Sequence, residues 1–254
     1  VALRGPVATA VHATARAMWA RAHLAHAWRE EVRTLARSAS RMDRARKLVR
    51  QLRGAAELAD DPKPMRAAFL VRDNLRQRRA IERSYVEAIR HARERVDIAV
   101  PYFYPGRMFR SALRKAARRG VRVRLLLQGK VDYRIAAVAA RALYDELRAA
   151  GVSIYEYTPA FLHAKVAVVD DSWATVGSSN IDPLSLLLNL EANVVVRDAD
   201  FARVLADRFD AAFALSVEVT GEPARSGWRA WLRRAGVAWA ANVYLRVAGI
   251  TGRY

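Results

Sequence analysis

Apolar positions along this chain follow two different rhythms. Up to about residue 52 they recur at helical spacing within an Ala- and Arg-rich background, as at Val11, Ala15, Met18 and Trp19. That spacing gives a helix one apolar face and predicts two helices over Val7–Leu52, the second near Arg41–Leu52. Asp60-Asp61-Pro62-Lys63-Pro64 breaks the pattern and reads as a linker. Beyond it, amphipathic and continuously apolar stretches alternate. Asn74–Arg95, Met108–Arg119 and Ile135–Ala150 read as helices, the last two stopped by Gly120 and Gly151 as C-terminal caps. Val96–Val100, Val121–Leu127 and Val152–Tyr157 read as buried strands between them. Three more strands follow closely, Ala164–Val169, Ala174–Gly177 and Ala192–Val196, and then a helix over Phe201–Leu215. The expected fold is therefore α/β, an α-β-α sandwich around a mixed, largely parallel sheet, with helical extensions at both ends. The expected divisions are a helical segment over 1–64, a catalytic domain over 65–220 and a tail over 221–254.

Composition narrows the class. The chain has 254 residues, 53% of them hydrophobic, enough to bury a core. Its formal charge is +19, so its surface attracts phosphate-rich polyanions. Nucleic acid and anionic lipid both meet that description, and charge does not choose between them. There are no cysteines, which excludes disulfides, zinc–thiolate sites and thiol nucleophiles. No stretch has the pattern of a signal peptide, and no apolar run approaches the ~18–20 residues of a spanning helix. The sequence starts at Val1 and not at Met, from which we expect a segment upstream.

The candidate chemistry lies in His163-Ala164-Lys165, then Asp170, then Gly177-Ser178-Ser179-Asn180, spaced H-x-K-x4-D-x6-G-S-x-N. On a strand, His163 and Lys165 would share a face. An imidazole can attack phosphorus or move a proton, and an ammonium beside it neutralises non-bridging oxygens. Ser178 and Asn180, on a turn, would add neutral donors to those oxygens. Glu191 opens the next strand and would fix the tautomer of the imidazole.

This constellation resembles the HKD motif of the phospholipase D superfamily. Further landmarks are similar to bacterial cardiolipin synthases: Ala99-Val100-Pro101-Tyr102-Phe103-Tyr104-Pro105, Gln128-Gly129-Lys130-Val131-Asp132, and Thr175–Ser185 running into Asn189-Leu190-Glu191-Ala192-Asn193. The likeness is strong over Ile81–Leu215 and weak over Gly5–Trp19. It implies that His163, Lys165, Ser178, Asn180 and Glu191 are catalytic, with Asp170 in a supporting role and Gly177 beside the substrate. It also implies a phosphohistidine intermediate, no cofactor and no metal. Tyr102, Phe103 and Lys130 follow buried strands, where such folds present residues to a ligand crevice.

Cardiolipin synthases carry two HKD halves, and this chain shows one; the remaining histidines, His12, His23, His26 and His91, lack the lysine. The resemblance thus implies either a C-terminal portion of a longer enzyme or a homodimer completing the site by two-fold symmetry. The implied activity is transfer of a phosphatidyl group from a phosphatidylglycerol-like phospholipid. It would occur at an anionic membrane surface, peripheral to the cytoplasmic side of a bacterial membrane. Two other readings stay open: a homodimeric phosphodiesterase, nuclease or phospholipase, and a basic membrane- or nucleic-acid-binding module with a vestigial site. The tail, with Trp228, Trp231, Trp239 and Tyr244 among Arg229, Arg233, Arg234 and Arg246, suits an anionic bilayer surface or packing on its own domain.

Overall fold

A computed structural model describes residues 5–16, 65–72, 79–130, 143–182 and 190–220. The chain divides into two compact units, Val1–Pro64 and Met65–Tyr254. In the first, one helix, α1, spans 6–16. The second predicted N-terminal helix, the Asp60–Pro64 linker and the aromatic tail lie outside the described residues.

The second unit is built on one eight-stranded sheet. Its elements in order are β1 (Arg66–Arg72), α2 (Ala80–His91), β2 (Arg95–Ala99), α3 (Arg107–Arg118), β3 (Arg122–Gln128), a helix α4 described over 143–148, β4 (Ser153–Tyr157), β5 (Val166–Val169), β6 (Trp173–Gly177), β7 (Glu191–Arg197), α5 (Ala199–Ala214) and β8 (Ser216–Glu218). Spatially the strands run β1-β7-β6-β5-β2-β3-β4-β8.

The helix stops fall where the glycines forecast them. Gly120 and Gly151 adopt φ of 90° and 91°, a conformation that costs glycine little. At each, two backbone bonds return to the last turn: Gly120 N–H to Ala117 and Val121 N–H to Ala116, then Gly151 N–H to Arg148 and Val152 N–H to Leu147. These are paired Schellman closures. α5 starts where Asp198 accepts the Phe201 N–H at 2.8 Å.

The sheet is mixed, as expected, but it is not largely parallel. Only β2–β3 and β3–β4 pair in parallel; the other five pairings are antiparallel. The reason is connection length. Parallel neighbours need a crossover of roughly a dozen residues, which the helices α3 and α4 supply, whereas β5 and β6 are joined by Asp170, Asp171 and Ser172 alone. Two edge strands, β1 and β8, had no sequence expectation.

Each sheet face carries its own apolar cluster. On one, Ile81, Tyr85 and Ile89 of α2 and Phe109, Leu113 and Ala116 of α3 pack over Ile98, Leu125, Ala167 and Trp173. On the other, Ala202, Ala206, Phe209 and Phe213 of α5 pack on Ala99, Leu126, Val168 and Ala174. That second face also buries Asp97 completely, held by Arg95 and Arg124, and Arg124 in turn lies 4.2 Å from the Phe213 ring centre. The registers bring the C-terminal ends of β2, β3, β4 and β6 to the same sheet end as the N-terminal ends of β5 and β7. His163 and Lys165 lie there, with Ser178, Asn180 and Glu191.

Candidate active site

β5 begins at Val166, two residues later than expected. Lys165 stays in its ladder, because the Gly177 N–H donates to its carbonyl at 3.0 Å. Lys165 is 7% exposed, whereas His163 lies in the irregular run ahead of the strand and is exposed. The lysine meets His163 through the backbone: Lys165 Nζ donates to the His163 carbonyl at 3.1 Å. Burial pushes the lysine's pKa below its usual range, and the Glu191 carboxylate opposes that push.

The turn after β6 is shaped by a close approach. A Cβ on Gly177 would stand 2.2 Å from Asn193 Oδ1 and 2.4 Å from the Ala192 carbonyl, so only glycine fits. Asn193, buried, accepts the Ser179 N–H at 3.4 Å and donates to Thr175 Oγ1 at 3.2 Å. Thr175 passes its own proton to the Val194 carbonyl at 2.9 Å. Tyr85 is fully buried near Asn193, and burial raises its pKa well above the ordinary phenol range, the nearby Asn193 amide opposing the rise. This polar row inside the apolar cluster ties the turn to the core.

Ser178 and Glu191 meet directly, serine hydroxyl to carboxylate. Ser178 Oγ also accepts the Ala192 N–H at 3.1 Å. Among the described residues, Glu191 makes no hydrogen bond with the His163 ring, so the expected tautomer-fixing contact is not formed. Asn180 is half-buried, and its Oδ1 is buried without a hydrogen-bond partner among the described residues. A buried, unsatisfied amide oxygen is costly and marks a position where a hydrogen-bond donor would be welcome.

Asp170 sits at the opposite end of β5. Its carboxylate gathers the backbone N–H groups of Arg93 at 3.0 Å, Glu94 at 2.9 Å and Arg95 at 3.0 Å, which fixes the entry to β2. Its φ of 49° places it in the left-handed region that aspartate tolerates. Despite its place in the motif, it is remote from the sheet end that carries His163.

The crevice residues divide. Phe103 is a core side chain, 2% exposed and edge-on to Phe109 at 6.4 Å. A bridge between Phe103 and Ile181, with Tyr104 N–H bonded to the Ile181 carbonyl at 2.7 Å, turns it inward. This corrects its expected place at the ligand. Tyr102 is half-buried on the same loop. Lys130 is exposed; its Nζ donates to the Pro159 carbonyl at 3.1 Å and lies 5.8 Å from the Phe161 ring centre, so it braces the loop leading to His163. Gln128 braces the same loop by accepting the Leu162 N–H at 2.8 Å.

Sequence reading passed over Arg72, which is fully buried and stands opposite Glu191 in the β1–β7 register. It also gave Asn193 no role, although Glu191 and Asn193, two apart, set two polar groups on one face of a buried strand. Among the described residues, no three of His, Asp and Glu gather as metal ligands would.

A fold and a residue cluster of this kind define the phospholipase D-like class, and comparison with known proteins agrees. Residues 85–213, half of the chain, match the family model described as cardiolipin synthase, PLD-like domain. The chain belongs to that family. It is 48% identical to cardiolipin synthase B of Escherichia coli K12 over 176 residues, 68% of this chain and 43% of the relative. It is 44% identical to cardiolipin synthase A of Pseudomonas aeruginosa UCBPP-PA14 over 142 residues, 56% of this chain and 29% of that one. The chain therefore spans less than half the length of these curated relatives. Among solved structures it resembles Nuc, a phospholipase D family member from Salmonella typhimurium, with a TM-score of 0.53 at 18% identity over 62% of this chain and all of Nuc. Phosphatidylserine synthase from Haemophilus influenzae gives 0.52 at 12% identity, over 80% of this chain and 51% of that one. At such identities the two structures speak to the fold alone.

Proposed function

We propose that this chain supplies one HKD half of a phosphatidyltransferase of the cardiolipin synthase type. The observation that carries the reading is the gathering of Lys165, Ser178, Asn180 and Glu191 at the sheet end from which His163 emerges. In the proposed cycle, one imidazole nitrogen attacks the donor phosphorus, forming a P–N bond as the P–O bond to the leaving glycerol breaks. The histidine of whichever half does not attack gives that glycerol its proton. The incoming hydroxyl then loses its proton to the same histidine, its oxygen attacks phosphorus, and the P–N bond breaks. His163 takes one of these two roles. Lys165 and Asn180 face the developing charge on the non-bridging oxygens. The second half comes from a longer chain or from a symmetry mate. The donor is a phosphatidylglycerol-like lipid, and the net charge of +19 suits a peripheral position on the cytoplasmic face of an anionic bacterial membrane. Among the described residues, no helix is long and apolar enough to cross a membrane.

Incubating the complete protein with phosphatidylglycerol vesicles and following products by mass tests this reading. A product carrying two phosphatidyl groups, with release of glycerol, is expected. Phosphodiester hydrolysis of nucleic acid without any phosphatidyl transfer would refute it. That outcome would favour a homodimeric phosphodiesterase, a reading supported by the chain's single H-x-K sequence.

A further inference from the structure

β4 and β5 follow one another in the chain but are not neighbours in the sheet; β3 and β2 stand between them. The chain leaving β4 at Tyr157 must therefore pass over the ends of both before it enters β5 at Val166. Three strand spacings, about 14 Å, are crossed by residues 158–165, which form neither helix nor strand. His163 rides on this crossing. A segment with no ladder of its own needs other hydrogen-bond partners wherever it leaves water.

Those partners come from the end of β3, which the crossing traverses. The Gly129 N–H donates to the Tyr157 carbonyl at 3.0 Å as the chain departs. The approach is close: a Cβ on Gly129 would stand 2.8 Å from that carbonyl oxygen and 2.9 Å from Thr158 Cγ2. Lys130 Nζ donates to the Pro159 carbonyl at 3.1 Å. The crossing is exposed from Thr158 to Phe161 and turns inward at Leu162, which packs with Ala164 against the apolar cluster under α5. There the Leu162 N–H donates to Gln128 Oε1 at 2.8 Å. Lys165 Nζ holds the other side, donating to the His163 carbonyl at 3.1 Å. The backbone at His163 is thus pinned by Gln128 ahead of it and by Lys165 behind.

The two sides of that grip differ in kind. Lys165 holds the histidine from its own segment. Gln128 stands 34 residues from Leu162 in sequence and closes β3, where it pairs with Tyr157 in the parallel ladder. It therefore ties the crossing to the rigid frame of the sheet. A reacting group displaced by about 1 Å can lose about a hundredfold in rate.

We infer that Gln128 is a positioning residue: by accepting the Leu162 N–H it fixes where His163 stands at the sheet end. Lys130 steadies only the exposed approach. The effect on turnover rests on the phosphatidyl-transfer reading; the tether itself does not.

Gln128→Met removes the acceptor at similar length and tests this in the complete protein. Amide exchange should quicken at Leu162 by about tenfold or more and stay unchanged at Leu125 and Leu126 of β3. In 15N-histidine spectra the His163 signal, identified by its loss in His163→Ala, should shift or broaden. Phosphatidyl transfer should lose at least about tenfold in kcat with KM within about twofold. Gln128→Glu keeps an acceptor oxygen, and should keep the slow Leu162 exchange and most of kcat, repulsion of the phosphodiester appearing in KM. Lys130→Met gives up a bond that water replaces, and should keep kcat within about threefold. Wild-type kcat in Gln128→Met overturns the assignment, as does a loss confined to KM or an unchanged Leu162 exchange. Should the wild-type protein transfer no phosphatidyl group, the functional reading fails, and the exchange and histidine spectra still decide the positioning.

Discussion

Alanine at Asp170 would separate what is structural in the HKD motif from what is chemical. The carboxylate holds three backbone N–H groups across the chain. A hydrogen bond to a charged group is worth roughly 1.5–3 kcal/mol when buried. Arg93 and Glu94 are exposed, however, so water replaces most of what those two lose, leaving about 2 kcal/mol for the set. Alanine at a φ of 49° adds about 1 kcal/mol of backbone strain. The sum, about 3 kcal/mol, corresponds to a fall in Tm of roughly 6–12 °C for a unit of this size. Turnover by the folded fraction should stay within about twofold, because five residues of strand separate Asp170 from Lys165 by about 16 Å. Asp170→Asn keeps an acceptor oxygen and tolerates the left-handed φ, and should lose about half as much stability. Thermal unfolding and single-turnover rates on the same preparations decide it. An unchanged Tm with a hundredfold loss of rate would refute the assignment.

Three further outcomes follow from particular contacts. Gly177→Ala meets a backbone carbonyl as well as a side chain, so β7 or the turn must shift; we expect about 3 kcal/mol of destabilisation and at least a tenfold loss of kcat as Asn180 moves, by calorimetry and steady-state kinetics. Phe103→Ala should cost about 3–5 kcal/mol by denaturant unfolding; a fold of normal stability with raised KM would return Phe103 to the ligand. Burial acts to raise the pKa of Asp210, but Arg124 and Arg95 outweigh it and hold the group below its usual value. Its stabilising contribution is therefore present above the ordinary carboxylate range and disappears as pH falls below it. Since the group is half exposed, Asp210→Asn should cost under about 1 kcal/mol at pH 7. The difference should vanish on acidification, as urea unfolding against pH would report.

Much of this was legible in the sequence for local reasons. Gly120 and Gly151 announced helix ends because their cap needs a positive φ, a requirement of single residues. The apolar runs of β2, β3 and β4 announced buried strands, since both of their faces are covered. The edge strands escaped for the converse reason. β1 is a short apolar run between arginines, and β8 is three residues long; neither has the continuous burial that marks a central strand. The sheet's antiparallel majority follows from how β5, β6 and β7 connect, which spacing alone could have forecast at the three-residue turn. In the candidate site, motif spacing named Lys165, Gly177 and Asn180, which the register brings to one sheet end. It did not foresee that the Ser178 proton is committed to Glu191, because donor accounting needs partners in three dimensions. Phe103 pointed inward because of its bridge to Ile181, a contact between segments far apart in sequence. Arg72 was passed over with the strand that carries it.

In the proposed function, phosphoryl chemistry occurs at the sheet end shared by His163 and Lys165. Phosphatidyl transfer by the complete protein, compared with His163→Ala and Lys165→Ala at matched Tm, tests it most directly. Loss of at least a thousandfold in both variants, with vesicle binding unchanged, is predicted from the loss of a nucleophile or proton carrier and of its charge stabiliser. Wild-type rates in either correctly folded variant would contradict it.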